Sequence, residues 1–438
     1  MGRRPKTRTL GAWMNGGYVG RWTVNSRGEH EFEYVPEWLA SDYGRPISLS
    51  IPLSSAGNRI KGEVVGNYFD NLLPDNERIR VRIQQRFATP SQSAFDLLAE
   101  IGRDCIGALQ LLPDGLVPGD IRRIEAEAAS EEEIERILSN TPAAGQHQDD
   151  DDFRISIAGA QEKTALLLHE GQWMRPRGAT PTTHILKLPI GRHGDHGIDL
   201  TASVENEWLC ARILEAYGIR VARCWPAAFG RHRVLVVERF DRQRSADGAW
   251  LMRLPQEDMC QAMGVSAEQK YERSGGPGIK GIMDLLLGSA VAEADRSDFF
   301  RTQIVFWLLC AIDGHAKNFS IFLEPRGNFR LTPRYDVLSA YPVMGNAPGL
   351  LQESKVKMSM ALTGKNRHYK WAELQHRQFE TTARACGLET AGKAIVEEVV
   401  GMTPAVIARV SAELPVGFPG QVADSILTGL DRAAKRVS

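Results

Sequence analysis

The pattern of apolar residues changes near residue 255 of this 438-residue chain, and this change restricts the fold more than any other feature. Between residues 153 and 250, short alternating runs predict strands, together with one helix over 203–217. Beyond residue 255 the apolar residues recur at helical spacing, apart from a short hairpin over 319–331. The sequence therefore predicts an α+β protein with two lobes, a β-rich one over 153–250 and an all-helical one over 251–438.

Two further regions precede these lobes. A hairpin is predicted around Asn15-Gly16-Gly17, whose residues adopt positive φ at low cost, and the later residues of this part have a helical pattern. We expect a small α+β N-terminal subdomain over 1–115. Residues 116–152 contain a glutamate-rich helix and a run of four aspartates. Because like-charge runs are mostly solvated, this stretch is predicted to be a connecting segment.

The composition argues against several classes of protein. A formal net charge of -1 is unlike a domain that grips nucleic acid by itself, because phosphate contacts require a basic excess. The six cysteines form no CxxC pair, which is typical of reduced thiols in the cytosol. No apolar run approaches the length of a membrane span. We therefore expect a cytoplasmic protein with no membrane partner.

The residues most informative about chemistry are Asp313 and Asn318. They lie in a loop after a predicted helix that we expect Ser297 to cap. Their spacing is that of a kinase catalytic loop, in which the aspartate accepts the proton of the substrate hydroxyl and the asparagine oxygen binds Mg²⁺. Further along, Asp336 ends a strand and could bind the metal that bridges the phosphates. Taken alone, an Asp and an Asn at this spacing more often cap a turn.

Lys187 lies in the apolar run ILKLP, at the centre of a predicted strand. A buried ammonium group there requires a partner, and kinases place their phosphate-binding lysine on such a strand. Glu207 in the following helix is the predicted partner, while Glu205 is its rival and would face another direction. The alternative is a lysine on an edge strand that points to water.

Two segments near this strand are predicted to contact a nucleotide. Residues 236–242 leave a strand between the two lobes, where backbone groups of Glu238 and Phe240 would read the adenine edge and the Phe240 ring would pack nearby. An exposed strand end is an equally open alternative for Glu238. Residues 156–163 lie where a loop covering the phosphates belongs, but their single glycine is a weak signal and, taken alone, more often marks a plain β-turn.

Six blocks of sequence, in one order, together resemble the HipA family, the toxin halves of bacterial toxin–antitoxin pairs. The blocks are FDNLLPD (69–75), FRISIAGAQEKT (153–164), THILKLPI (183–190), VERFDR (237–242), RLPQEDMC (253–260) and DGHAKNFS (313–320). The resemblance implies a protein-kinase-like bilobal fold preceded by an N-terminal subdomain. It also implies ATP and Mg²⁺ as cofactors.

The resemblance further implies roles for individual residues. Asp313 matches the catalytic base, Asn318 and Asp336 match the Mg²⁺ ligands, and Ser156 matches the serine that family members autophosphorylate. Phosphorylation of Ser156 would add nearly two negative charges beside the phosphate-binding loop, expel that loop and abolish ATP binding. The positions that match nucleotide-binding residues are Ile157, Ala158, Gly159, Ala160, Gln161, Glu162, Lys163, Lys187, Glu238, Phe240, His315 and Tyr335.

By this resemblance the chain is expected to be a serine/threonine protein kinase toxin. It would phosphorylate a component of translation, glutamyl-tRNA synthetase, and so arrest growth and promote persistence. A small helix-turn-helix antitoxin, similar to HipB, would inhibit it, and the pair would repress their operon, binding operator DNA mainly through the antitoxin. Two alternatives stay open: a kinase of small molecules or lipids, and a catalytically silent co-repressor, which would have no need of intact Lys187, Asp313, Asn318 and Asp336.

Overall fold

The computed structural model describes residues 7–55, 57–141, 156, 157, 159, 161–193 and 197–437. The elements of the N-terminal part are β1 (Arg8–Met14), β2 (Gly17–Val24), β3 (His30–Tyr34), α1 (Pro36–Ala40), β4 (Arg59–Lys61), α2 (Glu63–Asp70), α3 (Glu77–Phe87), α4 (Ala94–Ile101) and β5 (Leu109–Pro113). The strands form an antiparallel sheet in the order β4-β3-β2-β1-β5. Asn15 and Gly16, at φ 45° and 79°, close the predicted hairpin. The core joins sheet to helices where Trp22 stacks on Phe69, with ring centroids 3.9 Å apart.

The second sheet contains strands predicted over residues 153–250. The elements of this part are β6 (Ala126–Ala128), α5 (Glu131–Asn140), β7 (Lys163–His169), β8 (Gln172–Pro176), β9 (His184–Lys187), β10 (Gly191–His193), β11 (Ile198–Leu200), α6 (Ser203–Ala216), β12 (Cys224–Phe229) and β13 (His232–Glu238). Six strands pair in the order β12-β13-β9-β7-β8-β6. Successive side chains of a strand face opposite sides, so Val234 and Val236 of β13 pack toward α5 while Leu235 and Val237 pack toward α6.

Part of the predicted connecting segment belongs to this sheet. The predicted glutamate-rich helix is α5, capped by Ser130, and its buried Ile134 and Leu138 pack on the sheet face. Strand β6 extends the sheet by pairing with β8. Among the strands predicted between residues 153 and 250, we expect the first to cover 153–157. This segment lies mostly outside the described residues, and Ser156 and Ile157 are not in a strand.

The rest of the chain is largely helical, as predicted. Its elements are β14 (Arg242–Arg244), β15 (Leu251–Arg253), β16 (Gln256–Asp258), α7 (Met259–Ala262), α8 (Ile279–Leu285), α9 (Ala292–Leu308), β17 (Ser320–Leu323), β18 (Phe329–Leu331), β19 (Lys357–Thr363), β20 (Arg367–Lys370), α10 (His376–Ala385), α11 (Glu389–Ala412) and α12 (Gly420–Val437). The buried helix α9 packs against α11 and α12 in the largest core of the molecule.

Two details of this helical half differ from the sequence prediction. Helix α9 begins at Ala292, so Ser297 lies inside the helix and does not cap it; Glu293 and Asp295 instead place acidic groups in its first turn. Besides the predicted β17–β18 hairpin, the half has the strand β16, paired with β17, and the hairpin β19–β20. Strand β19 is filled by Met, Ala and Leu, which carry little strand signal.

Among the helices of the described residues, none combines the length and the apolar character that crossing a bilayer requires.

Candidate active site

Lys187 is the centre of a buried ion-pair group between the two lobes. It ends strand β9, its side chain is about nineteen-twentieths buried, and Nζ lies 2.6 Å from Oε1 of Glu207 and 2.8 Å from Oδ1 of Asp336. Helix α6 brings Glu207 to this position because its apolar face packs on the same side of the sheet. Glu205 instead binds Arg233, 2.5 Å away. The predicted Lys187–Glu207 pair is therefore confirmed over its rival.

The protonation of this group follows from its charges. Burial alone would lower the pKa of Lys187, but the carboxylates of Asp336 and Glu207 outweigh it and raise that pKa above its ordinary value. Burial would raise the pKa of Asp336, yet Lys187 and Lys163 hold it well below its usual range. For Glu207, burial outweighs the attraction of Lys187 and raises its pKa. Asp336 is thus the firmly ionised carboxylate at the mouth of the site.

Asp313 lies in the loop that follows α9, with a side chain 61% exposed. The hydroxyl of Tyr271 donates to its Oδ1 at 2.6 Å, and Nε2 of His315 lies 3.9 Å from the same atom. The hydrogen bond from Tyr271 fixes the orientation of the Asp313 carboxylate, which stays in contact with solvent. A general base must come within hydrogen-bond reach of the hydroxyl group that it deprotonates, and the exposure of Asp313 is compatible with such an approach.

Asn318 joins the catalytic-loop segment to Asp336. Its side chain is buried, and Nδ2 donates to the carbonyl oxygen of Asp313 at 2.7 Å and to that of Asp336 at 3.5 Å. These bonds orient the amide so that its oxygen is the atom left for a ligand. Asp336 adopts φ 59°, a left-handed conformation that aspartate tolerates better than most residues. The structure thus brings Asn318, Asp336 and Lys187 together, as the spacing predicts.

The fit of a metal ion rests on the oxygen donors of this pair. In the part of the chain that the structure describes, no three His, Cys, Asp or Glu side chains gather closely enough to hold a metal. Mg²⁺ in nucleotide sites is commonly held by one or two protein groups, with phosphates and water completing the shell. The carboxylate of Asp336 and the amide oxygen of Asn318 have the donor chemistry for that arrangement.

The predicted phosphate-binding loop is only partly described, since Ala158 and Ala160 lie outside the described residues. Ser156 is fully buried, and its hydroxyl donates to the carbonyl oxygen of Leu72 at 2.7 Å. Ile157 is buried as well. The hydroxyl of Ser156 is therefore shielded from solvent in this conformation of the loop.

The end of the loop is tied to its surroundings by side chains. Gln161 donates to the carbonyl of Leu188, and Glu162 binds Arg82 of the N-terminal subdomain. Gly159 has φ 111°, and a Cβ there would lie 2.5 Å from Nζ of Lys163. The glycine thus makes room for the partly buried side chain of Lys163.

Lys163 adds a second cationic side chain near Asp336. Burial lowers its pKa from 10.5 to about 8, with Lys187 contributing in the same direction and Asp336 opposing it. A lysine whose charge is destabilised by burial gains most from a bound anion, because the anion restores the favourable interactions that water no longer supplies. The charge at Lys163 therefore favours a phosphate group at this position.

At the end of β13, where the sequence predicts an adenine site, the structure has a group of aromatic rings. The Phe240 ring lies 5.8 Å from that of Tyr335 and 5.7 Å from that of Phe322, measured between centroids. The Tyr335 hydroxyl donates to the carbonyl of Lys317 at 2.9 Å. The N–H of Glu238 donates to the carbonyl of Arg223 at 2.8 Å and is committed to the sheet. The flat apolar surface is therefore provided by the rings, and the N–H of Glu238 is not available to adenine.

His315 is buried beside Asp313, with its ring 5.0 Å from that of Tyr271 in an edge-to-face contact. Burial lowers its pKa, which keeps the imidazole neutral near pH 7. Its Nδ1 atom is buried and makes no hydrogen bond to any described residue. A buried nitrogen without a partner is costly, so this atom is a polar contact that a bound nucleotide could satisfy.

Sequence reasoning missed the groups that surround the catalytic loop. Tyr271 lies 42 positions before Asp313, and no local pattern marks it. Asp75 binds Lys317 and Lys270, at 2.7 Å each, from the N-terminal subdomain. The block FDNLLPD, which ends at Asp75, was the one available signal, but it implied no role for this residue.

Comparisons with known proteins agree with this architecture. The family model of the HipA-like C-terminal domain matches residues 155–407, and that of the HipA N-terminal domain matches residues 10–112. A Sinorhizobium fredii protein provisionally named kinase Y4mE is 36% identical over 341 residues, which are 76% of this chain and 78% of that protein. The serine/threonine-protein kinase toxin HipA of Shewanella oneidensis is 31% identical over 320 residues, 70% of this chain and 69% of that protein.

A solved structure extends the likeness to nearly the whole chain. The HipA–HipB–operator DNA complex of Shewanella oneidensis contains a chain that superimposes with a TM-score of 0.79 at 22% identity, covering 98% of this chain and 97% of that one. At this identity the superposition establishes the fold, an N-terminal subdomain followed by two kinase-like lobes. Together with the two matched domains, it shows that this chain belongs to the HipA family and has the bilobal fold of HipA-type kinases.

Proposed function

We propose that this protein is an ATP-dependent serine/threonine protein kinase that acts as the toxin of a toxin–antitoxin pair. The observation that carries the proposal is the contact of Lys187 with Glu207 and Asp336, beside Asn318 and the exposed Asp313. These are the groups that phosphoryl transfer needs: a cation for phosphates, oxygen ligands for Mg²⁺ and a base for the attacking hydroxyl. The kinase names of the relatives in Shewanella and Sinorhizobium support it.

Each residue would contribute a separate part of the reaction. Lys187, held by Glu207, would bind the nucleotide's phosphates, and Lys163 would add charge beside them. Asn318 and Asp336 would hold Mg²⁺, which neutralises phosphate charge when it is bound. Asp313, oriented by the Tyr271 hydroxyl, would accept the proton of a serine or threonine hydroxyl as that oxygen attacks the γ-phosphorus of ATP. The bond from this phosphorus to the β–γ bridging oxygen would break, and ADP would leave. The rings of Phe240 and Tyr335 would pack against adenine.

The test of the proposed activity uses Asp313→Asn. Because Asp313 is exposed, this change should leave the fold intact but remove the base, and the rate should fall by roughly 10²–10⁴-fold. Purified protein would be mixed with a cell lysate, Mg²⁺ and γ-labelled ATP, and label incorporated into protein would be counted. The matched control is Asp284→Asn, because Asp284 pairs with Lys280 at an exposed position on α8. This variant should transfer label to protein at the wild-type rate.

Other outcomes of this experiment would contradict the proposal. Label appearing in small molecules or lipids alone would favour a kinase of that class. Growth arrest on expression that persists in Asp313→Asn would show that the toxicity does not depend on phosphoryl transfer. A wild-type protein that transfers no label to any component would favour the silent co-repressor.

We propose that Ser156 is an autophosphorylation site that silences the enzyme. Its hydroxyl is buried against the Leu72 carbonyl, so the loop must leave this position before the serine can be phosphorylated. A phosphate group would not fit back into that buried position without a large desolvation cost, which would keep the loop away from the nucleotide. Mass spectrometry of protein incubated with Mg²⁺ and ATP would detect phosphate on Ser156; its absence after full turnover would contradict this role.

The proposed partners follow from the family. The solved relative is named as a complex of HipA with HipB and operator DNA, and we propose a small helix-turn-helix antitoxin for this chain as well, with DNA bound mainly through it. The formal net charge of -1 agrees with this, because a protein that bound DNA by itself would need an excess of basic side chains. We propose a cytoplasmic component of translation, glutamyl-tRNA synthetase, as the substrate. Labelling of that purified enzyme in the assay above, and its absence with Asp313→Asn, tests the assignment.

A further inference from the structure

The turn between α2 and α3 of the N-terminal subdomain contacts the kinase lobes at several points. The carbonyl of Leu72 accepts the Ser156 hydroxyl, and the N–H of Asp75 donates to the carbonyl of Gly159 at 3.3 Å. The carbonyl of Asn71 accepts from Nζ of Lys317 at 3.2 Å. One turn of the added subdomain therefore lies against both the phosphate-loop segment and the catalytic loop.

Asp75 makes the strongest of these contacts. Its two carboxylate oxygens bind two different lysines, Oδ1 binding Lys317 and Oδ2 binding Lys270, each at 2.7 Å. Burial alone would raise the pKa of Asp75, but the two lysines hold it at about 2, so the group stays charged throughout the physiological range. The Lys317 side chain is buried, and an unpaired ammonium group there would be costly.

Both lysines lead directly to groups of the proposed active site. Lys317 immediately precedes Asn318, the proposed metal ligand, and both lie in one short turn of the catalytic loop. The carbonyl of Lys270 accepts from the N–H of Ala316 at 3.2 Å. The next residue, Tyr271, donates its hydroxyl to Asp313. A shift of either lysine would therefore displace a neighbour of the base or of the metal ligand.

We propose that Asp75 is a positioning residue for phosphoryl transfer, a carboxylate of the N-terminal subdomain that sets the catalytic loop through Lys317 and the Tyr271 segment through Lys270. This inference rests on the proposed kinase function and adds to it a role for a residue outside the kinase lobes. Asp75 itself touches neither of the proposed reacting groups. It acts on the maximal rate of transfer, because small displacements of reacting groups lower that rate steeply.

The test compares Asp75→Asn with Asp70→Asn. Asparagine keeps the shape and the backbone contact to Gly159 but removes the charge that holds both lysines. Asp70, in the same turn region, pairs with Arg80 of its own subdomain at 2.7 Å and is the matched control. The readout is the rate at which label passes from Mg²⁺ and γ-labelled ATP to total lysate protein, measured over a series of ATP concentrations.

We expect the maximal rate of Asp75→Asn to fall on the order of 10²-fold, the effect of misplacing catalytic groups by about an ångström. The half-saturating ATP concentration should change by less than about 3-fold, because the loss falls on the transition state and not on ground-state binding. Asp70→Asn should keep both values. A wild-type maximal rate in Asp75→Asn would overturn the proposal.

A double variant keeps the proposal testable if Asp75→Asn folds poorly. Asp75→Asn combined with Lys317→Met leaves no unpaired ammonium group at position 317. The double variant should lose about as much rate as Asp75→Asn alone, since two residues that act through one contact do not have additive effects. Losses that multiply would contradict the role through Lys317. The role would also be contradicted if each variant regained the wild-type rate when assayed well below its thermal midpoint, because the loss would then reflect unfolding alone.

The two proposals fail in different ways. If wild-type protein transfers no label, the kinase function fails and the role of Asp75 fails with it. If wild-type protein and Asp70→Asn transfer label and Asp75→Asn does so at the same maximal rate, the kinase function stands and the positioning role alone is wrong.

Discussion

Buried ionisable groups in this molecule differ in how well they are paired, and Glu257 of β16 is a poorly paired one. Its side chain is fully buried, its Oε1 accepts from the N–H of Leu49 at 2.8 Å, and its Oε2 has no hydrogen-bond partner among the described residues. Burial raises the pKa of Glu257 to about 8. The group lies where the N-terminal subdomain meets the helical half, so its protonation affects the stability of that contact.

Glu257→Gln should remove a pH dependence of stability. Between about pH 4.5 and pH 8 the folded state holds the Glu257 proton that the unfolded state has lost, so the free energy of unfolding of the wild type falls as pH rises. Glutamine stays neutral and can still accept from Leu49. The variant should therefore gain stability relative to wild type on going from pH 5 to pH 8.5, as measured by urea unfolding at both values.

The control for this prediction is Glu268→Gln, at an exposed position in the same half. Its stability difference from wild type should be the same at both pH values. An equal difference for Glu257→Gln would mean that Glu257 titrates in the folded protein as it does in water.

At the scale of elements, helix α5 illustrates how an acidic, weakly apolar segment becomes part of a core. Three glutamates fill its first turn, and Ser130 accepts from the N–H of Glu133 at 3.2 Å. Such a composition is typical of a solvated connection, but two apolar side chains one turn apart, Ile134 and Leu138, suffice to bury one stripe against the sheet.

Leu138→Ala should destabilise the protein by about 2–5 kcal/mol, the cost of a cavity at a fully buried leucine. A solvated connection would lose almost nothing. Leu116→Ala, at a position 50% exposed and earlier in the same stretch, is the control and should change the free energy of unfolding by less than about 0.5 kcal/mol. Equal effects in urea denaturation would mean that α5 does not pack on the sheet in solution.

At the scale of the whole molecule, a buried cluster of charges joins the N-terminal subdomain to the kinase lobes. Asp104 of that subdomain lies 2.8 Å from Arg242 and 3.3 Å from both Arg239 and Arg253, and Asp241 pairs with Arg239 at 2.8 Å. Burial would raise the pKa of Asp104, but the three arginines hold it well below its usual range. The junction is therefore an ionic core in which each charge depends on the others.

Asp104→Asn should lower the free energy of unfolding by about 3–5 kcal/mol, because it leaves three buried arginines with one carboxylate between them. Urea denaturation followed by fluorescence and by circular dichroism measures the loss. The exposed Asp114→Asn, from the same subdomain, should behave like wild type. A small effect of Asp104→Asn would mean that solvent reaches this junction.

The VERFDR block shows how far sequence could predict the site. Its place at the end of β13 was correct, whereas the contact of the Phe240 ring with that of Tyr335 was not predicted. The same block also supplies Arg239, Asp241 and Arg242 to the buried junction, a role that no local pattern indicates. The side chains of this block divide between the aromatic group at Phe240 and the buried junction. The junction can be identified only from its other members, such as Asp104, which lie elsewhere in the chain.

The chain's sequence by itself determined the type and order of most elements and the pairing of Lys187 with Glu207. The elements can be predicted because apolar residues recur at the period of a strand or a helix. The pairing can be predicted because the strand of Lys187 and the helix of Glu207 lie close together in the chain. The tertiary structure alone decided the contacts of Asp75 with Lys317 and Lys270 and of Tyr271 with Asp313, because these partners lie 42 to 242 positions apart. Such contacts arise from the packing of whole subdomains, which places distant carboxylates and lysines at bonding distance and leaves no local pattern in the sequence.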